Sequence, residues 1–212
     1  SAAMLGSLAD TGLDLVASLA TLIGVRIAAQ PADENHRFGH GKAEALAAMF
    51  QVALISVSAF GIALRAVQQW LAGGRSAEAE TGIAVSVIAM AATLALLAYQ
   101  RHVLARTRSL AIGADHVHYQ SDLMLNLAVI AALVLDQYLN ITGADPLFAL
   151  AIAMWLAWGA WTAARRAVEQ LMDQEWPDDR RAAFLEVVAR HPELKGVHDL
   201  RTRSSGAHDF VQ

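Results

Sequence analysis

Asp10 and Asp14 stand four residues apart, and so do His118 and Asp122. On a helix, each i, i+4 pair lies on one face. Three carboxylates and one imidazole brought to a point make a ligand set for a tetrahedral divalent metal. The chain has no cysteine, so any metal site must be built from imidazole and carboxylate. Asp33, His36 and His40 form a second group in the polar segment Pro31–Lys42. Two glycines let that segment fold tightly enough for three side chains to converge on an ion. Solvated loop histidines are the alternative reading. His198-Asp199 and His208-Asp209 read more simply as satisfied side chains on a surface strand.

The elements that must position these residues follow from charge gaps. The 212 residues are 56% hydrophobic and only 17% charged, with a mean hydropathy of +0.37. That balance excludes a disordered chain, and a net charge of −4 argues against a nucleic-acid binder. Asp, Glu, Lys and Arg are absent from Ala45 to Leu64, from Thr81 to Gln100 and from Pro146 to Ala164. Each run is close to the roughly 20 residues that a helix needs to cross a bilayer. Leu5–Ala29 and Ala114–Leu139 are also long and apolar, but carry ionisable groups well inside. Five spans are therefore expected, at about 5–29, 43–71, 81–104, 114–139 and 146–168. Intramembrane carboxylates are costly and by default functional.

Lys and Arg set the orientation. Arg26, Arg37 and Lys42 flank the first loop, Arg101, Arg106 and Arg108 the third, and Arg165 and Arg166 follow the last span. The loops between hold Arg75 alone or no basic residue. The richer loops belong on the cytoplasmic side, which puts Ser1 outside and Gln212 inside. An upstream span is then expected, giving six with both termini inside. Counted from Arg26, Asp14 and Asp10 lie roughly 18 and 24 Å deep at ~1.5 Å per residue. Counted from Arg108, His118 and Asp122 lie roughly 15 and 21 Å deep on the same rise. The two pairs thus share a level near mid-membrane, where none of the spans offers a Lys or Arg. Like charges there need a cation or protons to neutralise them, and metal binding releases protons from its ligands. Helix–helix hydrogen bonding with no ion is the plainer alternative.

Residues 1–175 read as this membrane domain and 176–212 as the start of a cytoplasmic α+β domain. Pro177-Asp178-Asp179 opens a helix to about Arg190. Val197–Arg203 reads as a strand, Ser204-Ser205-Gly206 as a turn, and Asp209–Gln212 as a second strand. A membrane metalloenzyme is a competing class, but His116 is the one unassigned group at that depth that could act as its base. A passive channel would rather use a ring of ligands.

The chain resembles the cation diffusion facilitator family, in its bacterial zinc/iron efflux branch. The matching stretches are Ser7-Leu8-Ala9-Asp10 with Asp14, then Gln30-Pro31-Ala32-Asp33 running through Asn35, His36 and Phe38-Gly39-His40-Gly41-Lys42-Ala43-Glu44. His118-Tyr119-Gln120-Ser121-Asp122 and His198-Asp199-Leu200-Arg201-Thr202-Arg203 complete them, in family order. The resemblance implies a homodimer of six-span protomers in the bacterial inner membrane, each with a ferredoxin-like cytoplasmic domain. It implies a transport site at Asp10, Asp14, His118 and Asp122, and a second metal site at Asp33, His36 and His40. His198 would contribute to a cytoplasmic-domain site whose other ligands lie beyond Gln212. Lys42 and Asp173 match a charge interlock near the dimer's cytoplasmic surface, while His116, His208 and Asp209 have no assigned counterpart. The implied activity is proton-coupled antiport of Zn²⁺, Cd²⁺ or Fe²⁺ rather than catalysis. A single imidazole among carboxylates favours Zn²⁺.

Overall fold

The computed structural model describes residues 2–72, 83–139, 144–191, 193, 198–206 and 208–212. Five long helices come first: α1 (Ala2–Ala28), α2 (Lys42–Leu71), α3 (Ile83–Thr107), α4 (Leu110–Leu139) and α5 (Ala144–Leu171). A shorter helix, α6 (Asp178–Ala189), and an antiparallel hairpin of β1 (Thr202–Ser205) and β2 (His208–Val211) follow. The long helices occupy the five expected places. The expectations for Arg75 and Val197 fall outside the described residues. Among the described residues, α2 and the Pro146–Leu171 part of α5 are long and apolar enough to cross a membrane by length and composition. That is two of the five expected spans. α1 and α4 carry ionisable residues within their length.

Small side chains let the helices close on one another. α2 and α5 share a core of Val52, Ile55, Ala59, Leu156 and Ala160. Nearer their other ends, Ala45, Ala48, Ala114 and Ala167 join α2, α4 and α5. Small residues at helix crossings are the usual device where lipid removes the hydrophobic drive between helices. Gly24 is the tightest such point, because a Cβ there would run into the Ala47 side chain. α1 and α2 therefore meet backbone to backbone.

The distribution of polarity is inside out. Gln51, Gln100, Asp115, His118 and Ser121 are buried. Leu15, Val57, Phe60, Trp158 and Trp161 are exposed. An apolar exterior around a polar interior suits a bundle whose solvent is lipid.

Several boundaries differ from expectation: α1 begins at Ala2 rather than 5, α3 ends at Thr107 rather than 104, α5 ends at Leu171 rather than 168, and residues 198–201 of the expected strand precede β1 without joining it. α4 begins at Leu110 rather than 114, because the Ser109 hydroxyl accepts the backbone N–H of Ile112 and caps the helix. Ser204 and Ser205 lie in β1 and not in the turn. Ser204 Oγ donates to Asp209 Oδ1 at 2.6 Å across the strands, and Ser205 pairs in register with His208. The reversal falls at Gly206, whose φ of +60° suits glycine. Among the described residues, one helix and one hairpin represent the α+β segment, without a ferredoxin-like sheet.

The hairpin packs against the start of α6 and the loop that leads into α2. Trp176 N donates to Thr202 Oγ1 at 3.0 Å, and Arg180 pairs with Asp209 at 2.6 Å. Gly41 abuts Ser205 with no room for a side chain. Phe38 meets Phe210 edge to face, and the Arg203 guanidinium sits 3.9 Å over the Phe38 ring.

Candidate metal centres

Asp14 lies midway along α1, and His118 and Asp122 lie one turn apart on α4. His118 is buried, and its Nε2 stands 2.9 Å from Asp14 Oδ1 and 3.7 Å from Asp122 Oδ2. One ligand atom from each of the three lies within 4.8 Å of the others. Ser18 Oγ and Tyr119 OH, 2.8 Å apart, join the same two helices one turn further on. Ser121 Oγ donates to the His118 carbonyl at 2.6 Å. The α1–α4 junction is thus made of polar contacts, and two carboxylates and an imidazole converge in it. Asp10 belongs to α1, and its side chain falls outside the described residues.

The loop between α1 and α2 folds around Asp33. Its Oδ1 accepts the backbone N–H of Asn35 at 2.9 Å and of His36 at 2.6 Å. His36 Nδ1 lies 3.3 Å from Oδ1, and His40 Nε2 3.4 Å from Oδ2. Gly39, at φ +76°, turns the chain so that the two imidazoles come to 4.4 Å. These three residues also place ligand atoms within 4.8 Å of one another. The His36 amide above all, then the Asn35 amide and the His36 imidazole, hold the Asp33 carboxyl below its ordinary value. It is therefore ionised and available as a ligand. His40 Nδ1 is buried without a hydrogen-bond partner, while its Nε2 is the nitrogen on the Asp33 side. An O/N/N set could hold a metal with a position left open.

His198 does not join a group of three candidate ligands among the described residues. It is exposed and lies before the hairpin. His208 begins β2, and Asp209 is taken up by Arg180 and Ser204. Lys42 and Asp173 do meet, at 2.9 Å. Lys42 Nζ also donates to the Leu171 carbonyl at 3.1 Å, and Arg203 reaches the same Asp173 oxygen at 3.3 Å.

Sequence reasoning missed a polar cluster beside the first centre. Gln51 on α2 and Gln100 on α3 both donate to Asp115 on α4. The Gln100 oxygen lies 3.2 Å from His116 Nδ1. Glu44 on α2 and Ser109, the cap of α4, form a further buried contact. Asp115 and His116 stand out in the sequence as ionisable residues in an apolar run. Two uncharged glutamines give no such signal.

A family model for the cation efflux transmembrane domain matches residues 1–172. The chain belongs to the cation diffusion facilitator family. Curated relatives agree in the bacterial branch: the chain is 46% identical to the cation-efflux pump FieF of Serratia proteamaculans, 44% to that of Cronobacter sakazakii and 43% to that of Klebsiella pneumoniae. Each match covers all of this chain and 70% of the relative. Membership makes this cation diffusion facilitator a membrane protein of cation efflux, and a transporter rather than an enzyme.

Proposed function

We propose that the protein exports divalent metal cations from the bacterial cytoplasm in exchange for protons, with Zn²⁺ as the leading cargo and Fe²⁺ and Cd²⁺ as further ones. The observation that carries this reading is the junction of Asp14, His118 and Asp122 between α1 and α4. Asp10, one turn before Asp14, supplies the fourth ligand. Two or three carboxylates at that depth, with no Lys or Arg beside them, are tolerable when a dication or protons neutralise them. Mixed O/N donors suit Zn²⁺, and imidazole also accepts Fe²⁺.

Cytosolic metal enters the site and displaces protons from its ligands. The helices carrying the site then reorient outward. Protons from outside occupy the carboxylates and His118, and the metal leaves. The protonated site returns, so the inward proton gradient drives export.

In this reading all five long helices cross the inner membrane, with the tail on the cytoplasmic side as the opening of an α+β domain of ferredoxin type. Two such chains form the working homodimer. Asp33, His36 and His40 hold a second ion at the cytoplasmic surface, and His198 belongs to a third, cytoplasmic-domain site. Flux of Zn²⁺, Fe²⁺, Cd²⁺ and Mn²⁺ into proteoliposomes under an imposed pH gradient tests the function. Coupled flux that follows the gradient is expected. Metal flux that ignores it would point to a channel instead.

A further inference from the structure

Asp115 is buried three residues before His118, about one helical turn away, and belongs to neither metal centre. Gln51 Nε2 donates to its Oδ1 at 3.1 Å and Gln100 Nε2 to its Oδ2 at 2.8 Å. Among the described residues, no Lys or Arg hydrogen-bonds or ion-pairs with it. Both oxygens therefore face N–H donors. As the two amides stand, both donate, which matches a carboxylate. The Gln100 oxygen lies on the His116 side and its nitrogen on the Asp115 side. Amides hold a carboxylate in place without cancelling its charge. The charged and titratable neighbours are Asp14 on α1, Arg101 on α3 next to His116, and His116, His118 and Tyr119 on α4.

We propose that Asp115 is a positioning residue of the transport site, a fixed negative charge that strengthens dication binding at Asp14, His118 and Asp122 without touching the ion. This rests on the transport reading of that site. The low dielectric of the bundle interior lets a charge one turn away be felt by the cargo. Outer partners of this kind typically change metal affinity by about 10–100-fold.

Asp115→Asn isolates the charge. Gln51 Oε1 is buried without a partner, so a turned Gln51 amide can accept from the new side-chain N–H₂, and the clamp survives. The measurement is Co²⁺ binding to the purified protein in liposomes, read by d–d absorption, in a background carrying His36→Ala and His40→Ala. Asp115→Asn should keep the tetrahedral Co²⁺ spectrum while weakening affinity by roughly 10–100-fold, and Asp115→Glu should restore most of it. Unchanged affinity in Asp115→Asn would overturn the proposal. So would loss of the spectrum or of the folded protein, since Asp115 would then act as scaffold alone. Asp14→Ala run in parallel separates the two readings. If Co²⁺ binding survives it unaltered, the transport site is elsewhere and the role of Asp115 falls with it.

Discussion

The imidazole of His118 and the carboxylate of Asp14, 104 positions apart in the chain, meet at 2.9 Å between α4 and α1. That contact, rather than an apolar seam, is what α1 and α4 offer each other at this level. Asp14→Ala or Asp122→Ala should therefore abolish Zn²⁺ flux in proteoliposomes while the protein still inserts in the membrane. Flux equal to the parent would remove the site.

Replacing the lone nitrogen donor should change which ion is preferred. His118→Asp leaves an all-oxygen set, which suits harder ions. In a competition assay the rank order should move from Zn²⁺ toward Mn²⁺. An unaltered order would show that the imidazole does not select the cargo.

The loop centre should be separable from transport. His36→Ala together with His40→Ala should lower the metal bound per chain, measured by elemental analysis after dialysis. Maximal flux should fall far less. Complete loss of flux would place the loop on the ion's path.

Acid should loosen the tail. Desolvation works against the Asp173 carboxylate, but the Lys42 hydrogen bond and charge, and then Arg203, outweigh it and hold the group below its ordinary 3.8. A depressed value stabilises the folded state above the unfolded value and loses that contribution as pH falls through the folded one. Protection of the β1 and β2 amides, corrected for intrinsic exchange, should thus be steady above about pH 4 and fall below it. Asp173→Asn should raise exchange already at neutral pH and flatten the acid response. A hairpin equally protected in parent and variant across this range would rule out the anchoring role.

Some of this geometry can be read in the sequence because a membrane supplies an external ruler. Arg26 and Arg108 mark one edge, and counting inward puts Asp14 and His118 at one level. The helices likewise follow from gaps in charge, since chain that crosses lipid must satisfy its backbone internally. Capping is local chemistry, and a serine at 109 is a signal for a helix that starts at Leu110. Gln51 and Gln100 were out of reach. An uncharged amide in an apolar run marks neither depth nor partner, and Asp115 gains its role from where α2 and α3 pass. β1 runs to Ser205 rather than ending at Arg203 for a similar reason. Ser204 and Ser205 have turn chemistry on their own, and the cross-strand bond to Asp209 is what keeps them extended.

The absence of a side chain at Gly24 gives α1 a pivot against Ala47. Asp14 sits ten residues along, a lever arm of about 15 Å. Swinging that arm by about 10° would carry the carboxylate roughly 2.6 Å, enough to open its 2.9 Å contact with His118. A bulkier residue at the fulcrum, as in Gly24→Val, should consequently displace α1 and weaken ion binding together with turnover. Binding and turnover equal to the parent would deny the close approach any part in holding the site.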